Sequence, residues 1–348
     1  MRELLEPIEA WRSEGLRVAV ATIVKAWGSA PRPLGTKMAI SERGEMAGSV
    51  SGGCVEGAVV EMAQAALDAD APRLADFGIS QDDAFAIGLS CGGTLEILIE
   101  PLREASYPAL RGALGARRAV ATVTRLDGPD PGASGQLLVE HRGAELGSLG
   151  DPDLDAEARE LVEAQWLAMT PRRLTTDGGR ELFIDVVAPP PKLIIVGAVH
   201  VAIVLVRMAK EVGFDCTVVD PRTAFATEDR FAHADRVVHD WPDEALRALG
   251  VDANTFVVLL SHDLKLDVPA LQVALPSARY IGALGSKKTH RKRLDRLRDA
   301  GVDPALFPRM HNPIGLDLGG RRAEEMAVSI LAEIVAVNHG RDARPLPG

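Results

Sequence analysis

The sequence predicts an α/β protein: a duplicated α/β domain at the N-terminus, followed by a Rossmann-like, doubly wound parallel-sheet domain. Three observations predict it. Residues 17–67 and 118–167 repeat one order of strand, turn and helix signals. The run APPPK at 188–192 breaks the chain with stiff, extended residues. Beyond it, KLIIVGAVHVAIVLVRMAKEVGFDCTVVDPR reads as a β-branched strand, a glycine turn, a helix and a second strand ending in Asp220.

The bulk properties set the frame. A length of 348 residues suits about two domains at ~150 residues each. Hydrophobic residues at 47% permit a sizeable core, and aromatics at 4% require that core to be mostly Ala, Val, Leu and Ile. A net charge of -10 argues against a nucleic-acid partner, which calls for a basic face. The opening MRELLEPIEAW carries acids and no apolar core, so it does not read as a signal peptide. LIIVGAVHVAIVLVRMA, from Leu193, is interrupted by Gly197 and His200 and reads as strand, turn and helix rather than as a membrane span. Cys54, Cys91 and Cys216 are widely spaced with no CxxC, so neither a zinc knuckle nor a disulfide scaffold is indicated. These features predict a cytoplasmic protein with reduced thiols.

The first domain spans 1–188, with repeats at about 17–101 and 118–188. Each begins with a Val/Ala/Thr strand, a Gly/Pro loop and a second strand. An Arg-Gly turn, a short strand ending in Gly-Ser and a helix follow. CGGTLEILIEP from Cys91 then resembles DGGRELFIDVVAP from Asp177. The two copies are expected to share a sheet. Copy two has Asp153 near the place of Cys54 and Asp177 at the place of Cys91. The unit thus folds without either thiol, which favours a chemical role over the alternative of two small buried hydrophobes.

GSVSGGCVEG, residues 48–57, places Cys54 behind Gly52 and Gly53 and ahead of a helical run. The glycines permit positive φ and close backbone approach. A glycine turn feeding a helix N-terminus is expected to expose N–H groups that favour an anion and the Cys54 thiolate. GSAPRPLGTKM adds Arg32 and Lys37, either a cationic wall beside Cys54 or a solvated turn.

After a linker at 189–192, the second domain spans 193–338 and leaves a tail at 339–348. FVVLLSHD and ARYIGALGS read as further strands and EEMAVSILAEIVAVNHG as a closing helix. Cys216, in the apolar strand FDCTVVD, reads as core. The dinucleotide fingerprint lacks its second glycine, because residue 199 is valine where backbone meets pyrophosphate. NAD(P) binding is therefore doubtful. GALGSKKT is not a P-loop, because its spacing is wrong. Gly285, Ser286, Lys287 and Lys288 suit a phosphate or a solvated helix start equally. His262 and Asp263 follow a strand at the edge where α/β ligands collect.

Taken together, GSAPRPLGTKM, GSVSGGCVEG, GLSCGGTLEILIEP, the 193–222 opening, LSHDLKLDVPAL, YIGALGSKK and NPIGLDLGGRRAEEMAVSILAEIVA resemble the xanthine dehydrogenase accessory-factor family, XdhC/CoxI. They cover most of the chain in the expected order. The resemblance implies a chaperone that binds the molybdenum cofactor (molybdopterin) as cargo. It supports the cofactor's sulfuration and inserts it into a xanthine dehydrogenase-type molybdenum hydroxylase apoenzyme. It leaves open a cysteine desulfurase as a second partner and a homodimeric state. Cys54 and Cys91 match the motif positions and are the implied metal-contacting residues. Gly52, Gly53, Gly92, Gly93, Arg32 and Lys37, with His200, Asp220, His262 and Ser286 of the second domain, complete the expected cofactor-binding set. No catalytic residue is assigned, so the chain reads as a maturation chaperone more than a catalyst. The competing readings are an NAD(P)-dependent oxidoreductase using the Rossmann-like domain, and a scaffolding role within a hydroxylase. The iron–sulfur cysteine clusters of a xanthine dehydrogenase itself are missing.

Overall fold

The computed structural model describes residues 1–28, 32–78, 93–127, 135–141, 143–166 and 170–344, in two units, Met1–Pro189 and Pro190–Gly348. The first unit begins with α1 (Leu5–Ser13), β1 (Val18–Trp27), β2 (Lys37–Ser41) and β3 (Met46–Gly48). It continues through α2 (Glu56–Ala69), β4 (Arg73–Phe77), β5 (Thr94–Pro101) and α3 (Tyr107–Gly115). A second set follows as β6 (Val120–Arg125), β7 (Gln136–Glu140), β8 (Glu145–Ser148), α4 (Pro152–Gln165), β9 (Arg172–Thr175) and β10 (Glu181–Val187).

The repeat is visible in the pairing. One antiparallel sheet has the order β3-β2-β1-β5-β4 and the other β8-β7-β6-β10-β9, the same order twice. Each copy therefore closes its own five-stranded sheet, and the expectation of one shared sheet is corrected. The reason lies in the edges. β1 and β6 are each flanked by strands of their own copy, so neither offers a free ladder to the other. The copies meet face to face instead.

β1 is buried along most of its length because both of its faces are covered. Ala19, Ala21 and Ile23 pack with Val59, Ala63 and Ala66 of α2, while Val24 and Leu98 meet Leu126 and Phe183 of the second copy. Leu154, Ala158 and Val162 of α4 cover the outer face of the second sheet. The layers run helix, sheet, sheet, helix.

The second unit contains β11 (Lys192–Val196), α5 (His200–Glu211), β12 (Asp215–Val219), β13 (Arg236–Val238), α6 (Pro242–Leu249) and β14 (Thr255–Leu259). It ends with α7 (Leu264–Ala274), β15 (Tyr280–Ala283), α8 (Lys287–Asp299), β16 (Met310–His311) and α9 (Ala323–Asn338). All ladders are parallel, in the order β13-β12-β11-β14-β15-β16. That order reverses between β11 and β14, the switch point at which doubly wound sheets open a crevice. α5 and α9 cover one face, and α6, α7 and α8 the other. Cys216 sits on β12 with no exposed surface, and burial pushes its thiol up to about 12. No helix among the described residues is long and apolar enough to cross a membrane.

Candidate functional site

The loop from Ser49 to Val55 joins β3 to α2, and its shape is set by Glu56, the first residue of α2. The Glu56 carboxylate accepts from the Ser49 and Ser51 hydroxyls. It also accepts from the N–H groups of Val50, Ser51, Gly52, Gly53 and Val55 at 2.8–3.2 Å. Burial opposes its ionisation, but the hydrogen bonds from the two serine hydroxyls and the Ser51 N–H outweigh it. They hold the carboxyl well below the usual range. The sequence leads one to expect these N–H groups to be open to an outside anion. The structure instead fills the nest from within.

Gly52 and Gly53 have φ of +86° and +120°, and a Cβ on either would meet nothing within 4 Å. Glycine is therefore required by conformation rather than by space. Gly52, Gly53 and Cys54 are all exposed, so the loop brings the thiol to the surface. The N–H of Cys54 donates to the Ser51 hydroxyl at 2.9 Å.

The second copy provides an internal comparison. There Leu149 N–H donates to Asp155 at 2.7 Å, as Val50 N–H donates to Glu56, and the two acids are equally buried. The duplication thus retains the capping acid and replaces the cysteine with Asp153.

The other expected residues of the first unit lie as follows. Lys37 opens β2, where Nζ pairs with Asp185 at 2.9 Å and donates to Thr22 Oγ1 at 2.7 Å. Both charged side chains are nearly buried. Arg32 is exposed in the loop before β2. Gly93 precedes β5, while Cys91 and Gly92 lie outside the described residues. The flanking Thr94 pairs with Trp27, whereas Gly48 pairs with Met38 and so lies level with Ala21; both point toward the same end of the sheet but stand six residues apart along it, at Trp27 against Ala21. β3 and β5 are separated by β2 and β1, about 14 Å at ~4.8 Å per strand spacing. A cavity of about 50 Å³ lies between the repeats, lined by Lys37, Tyr107, Gln136 and Asp185 and by no residue of the Cys54 loop. Small-molecule sites occupy ~300–1,000 Å³, so this cavity does not fit a pterin. Among the described residues no three His, Cys, Asp or Glu side chains are placed to hold a metal ion.

In the second unit the expected residues gather at the carboxyl ends of the parallel strands. Gly197 has φ +106°, and a Cβ there would meet Ser261 N at 2.8 Å, so only glycine lets β11 pass the end of β14. Val199 has ordinary extended backbone, packs against the core and precedes the exposed His200 at the start of α5. Asp220 has no exposed surface and accepts from Ala198 N–H at 2.9 Å. It also accepts from Arg222 N–H, Nε and Nη2 at 2.7–3.0 Å. Burial opposes its ionisation, and the Arg222 guanidinium and these N–H groups outweigh burial, so its pKa is lowered. This is the acid that takes ribose hydroxyls in dinucleotide-binding relatives of the fold. Here it fastens the glycine turn to Arg222. His262 is exposed with φ +56°, and Ser286 caps α8 by accepting from Thr289 N–H at 3.2 Å.

Comparison with known proteins adds the family. Residues 11–78 match the model of the XdhC and CoxI family, and residues 193–334 match that of the XdhC Rossmann domain. The chain belongs to the XdhC/CoxI family. It is 28% identical over 335 residues to a Bacillus subtilis protein whose name is that of a probable xanthine dehydrogenase subunit, covering 94% of this chain and 95% of that one. It is 29% identical over 342 residues to the Escherichia coli protein named "Molybdenum cofactor insertion chaperone PaoD", covering 98% and 89%. A Bacillus halodurans crystal structure described as a xanthine dehydrogenase superposes with a TM-score of 0.74 at 25% identity, covering 98% of this chain and 97% of that one.

The XdhC/CoxI matches take in Cys54, Arg32 and Lys37 on one side and His200, Asp220, His262 and Ser286 on the other; Cys91 falls between them. Two organising features escape a reading of the sequence alone. One is Glu56, whose only advance signal is the acid at the same place in copy two. The other is a buried network behind the second unit's loops. Arg293 Nη2 pairs with Asp267 at 2.6 Å, Ser261 Oγ donates to Asp267 at 2.6 Å, and Arg293 Nη1 donates to Asn312 at 3.1 Å.

Proposed function

We propose that this XdhC/CoxI protein is a maturation chaperone that carries the molybdenum cofactor and inserts it into a xanthine dehydrogenase-type molybdenum hydroxylase. The observation that carries the reading is Cys54. It is an exposed thiol on a loop held from behind by Glu56, at a position the second repeat fills with an acid. A thiolate is a suitable soft ligand for the cargo's metal. The near full-length similarity to a protein named for molybdenum cofactor insertion supports the same reading.

The residues divide the work. Cys54 meets the metal end of the cargo, and Cys91 is its proposed companion ligand. The exposed Arg32 is the cation left to meet the cargo's phosphate, because Lys37 is engaged by Asp185. Holding the cofactor while a partner cysteine desulfurase supplies sulfur, before transfer to the apoenzyme, completes the proposed cycle. The oxidoreductase reading is less well supported: Val199 stands at the pyrophosphate turn and Asp220 is already fully engaged.

The test is to purify the protein from a molybdate-supplemented host, oxidise the released pterins and measure their fluorescence. Pterin near stoichiometry supports the proposal. Pterin-free protein that also fails to take up cofactor from a loaded donor contradicts it.

A further inference from the structure

The loop that bears Cys54 has the form of an anion nest: successive N–H groups, two glycines with positive φ, and a helix start. Its occupant is a side chain of the same chain. The Glu56 carboxylate gathers the Ser49 and Ser51 hydroxyls and the N–H groups of Val50, Ser51, Gly52, Gly53 and Val55. These are more donors than the roughly four lone-pair sites of a carboxylate, so several share an oxygen. The Ser49 and Ser51 hydroxyls also accept from the N–H groups of Gly52, Cys54 and Val55 at 2.9–3.1 Å, and Glu56 in turn orients both hydroxyls. Val55 caps α2 without a side-chain hydrogen bond, and Gly52 and Gly53 have no side chains.

We infer that Glu56 is a positioning residue: it acts as a built-in anion that closes the nest, shapes the loop and thereby sets the presentation and reactivity of Cys54. Two observations carry this independently. The first is the convergence of donors on one buried carboxylate. The second is the duplicate, which keeps an acid, Asp155, on the equivalent N–H although the cysteine is gone. An acid that served only the thiol's chemistry would have no reason to persist beside Asp153.

The consequence is a division of recognition. An anionic group of the cargo is not bound at this helix start, because the donors are already satisfied. The loop offers the thiol alone, and cargo phosphate must be met elsewhere. The inference takes its functional meaning from the proposed role of Cys54, but it can be tested without any cargo.

The experiment measures alkylation of Cys54 by iodoacetamide in the full chain, read at that residue by peptide mass spectrometry. In Glu56→Ala the loop loses the carboxylate that holds it from behind, Cys54 is presented differently, and its alkylation rate is expected to rise several-fold. Free acetate should reoccupy the nest and return the rate toward that of the wild type, while leaving the wild type unaffected. A role in folding alone would give no such rescue. An unchanged rate in the variant, or a raised rate that acetate does not lower, overturns the inference. If Glu56→Ala fails to fold, Glu56→Gln carries the test: faster alkylation supports the inference and an unchanged rate overturns it. Failure of the cargo reading would be seen separately, as full pterin retention by Cys54→Ala, and would leave the alkylation result standing.

Discussion

Asp267→Asn is expected to destabilise the second unit severely, although the two side chains have nearly the same shape. Asp267 and Arg293 have no exposed side-chain surface and meet at 2.6 Å, joining α7 to α8. Arg293 also donates to the Leu284 carbonyl at 3.0 Å, and Ser261 donates to Asp267. The network therefore fixes the segments that follow β14 and β15, where His262 and Ser286 stand. Removing the negative charge leaves a buried guanidinium without its counter-ion, a loss of about 3–5 kcal/mol. For a unit of this size, at ~2–4 °C per kcal/mol, the melting temperature should fall by about 6–20 °C. Calorimetry and urea unfolding measure it. The double variant Asp267→Leu/Arg293→Met removes both charges and should be more stable than Asp267→Asn alone, because the penalty comes from the orphaned charge. A fall within ~1 kcal/mol, as for an exposed pair, would refute the reasoning. So would a double variant that loses the sum of its parts.

Lys37→Met should lower stability by about 2–4 kcal/mol, because it strands Asp185, whereas Arg32→Gln should leave the melting temperature unchanged; urea titrations of both check this. Titration calorimetry with NADH should give little heat. Val199→Gly should improve it only slightly, because Asp220 remains committed to Ala198 and Arg222. Glu56 has its folded pKa below its unfolded value of about 4.3, so its contribution is complete above that pH and is lost as pH falls toward the folded value. The stability gap between wild type and Glu56→Gln should therefore narrow on acidification below about pH 4, as acid-series urea unfolding would reveal.

Much of this architecture is legible in the residues. Alternation and turn chemistry place the strands of both repeats, and the β-branched run from Leu193 announces the parallel sheet. What escapes is long-range. The repeat defines the strands but not their neighbours, and pairing within each copy follows from the return of β5 and β10 beside β1 and β6. Lys37 sits in a Pro/Gly context that suggests a solvent-facing cation, yet its partner lies in the other repeat. Glu56 resembles an ordinary charged helix start, and only the folded loop brings the donors of residues 49–55 onto it. Cys216 is the opposite case: its apolar strand context already marks it as core.

The central claim is that Cys54 is the residue through which this chain holds and delivers its cargo. The most direct measurement compares wild type, Cys54→Ala and Cys216→Ala, each loaded with molybdenum cofactor and mixed with a molybdenum hydroxylase apoenzyme. Recovered hydroxylase activity and the pterin left on the chaperone are both recorded. The account predicts that Cys54→Ala retains little pterin and activates the apoenzyme poorly. Cys216→Ala should match the wild type while losing only about 1 kcal/mol of stability. Full retention and full activation by a folded Cys54→Ala protein would contradict it.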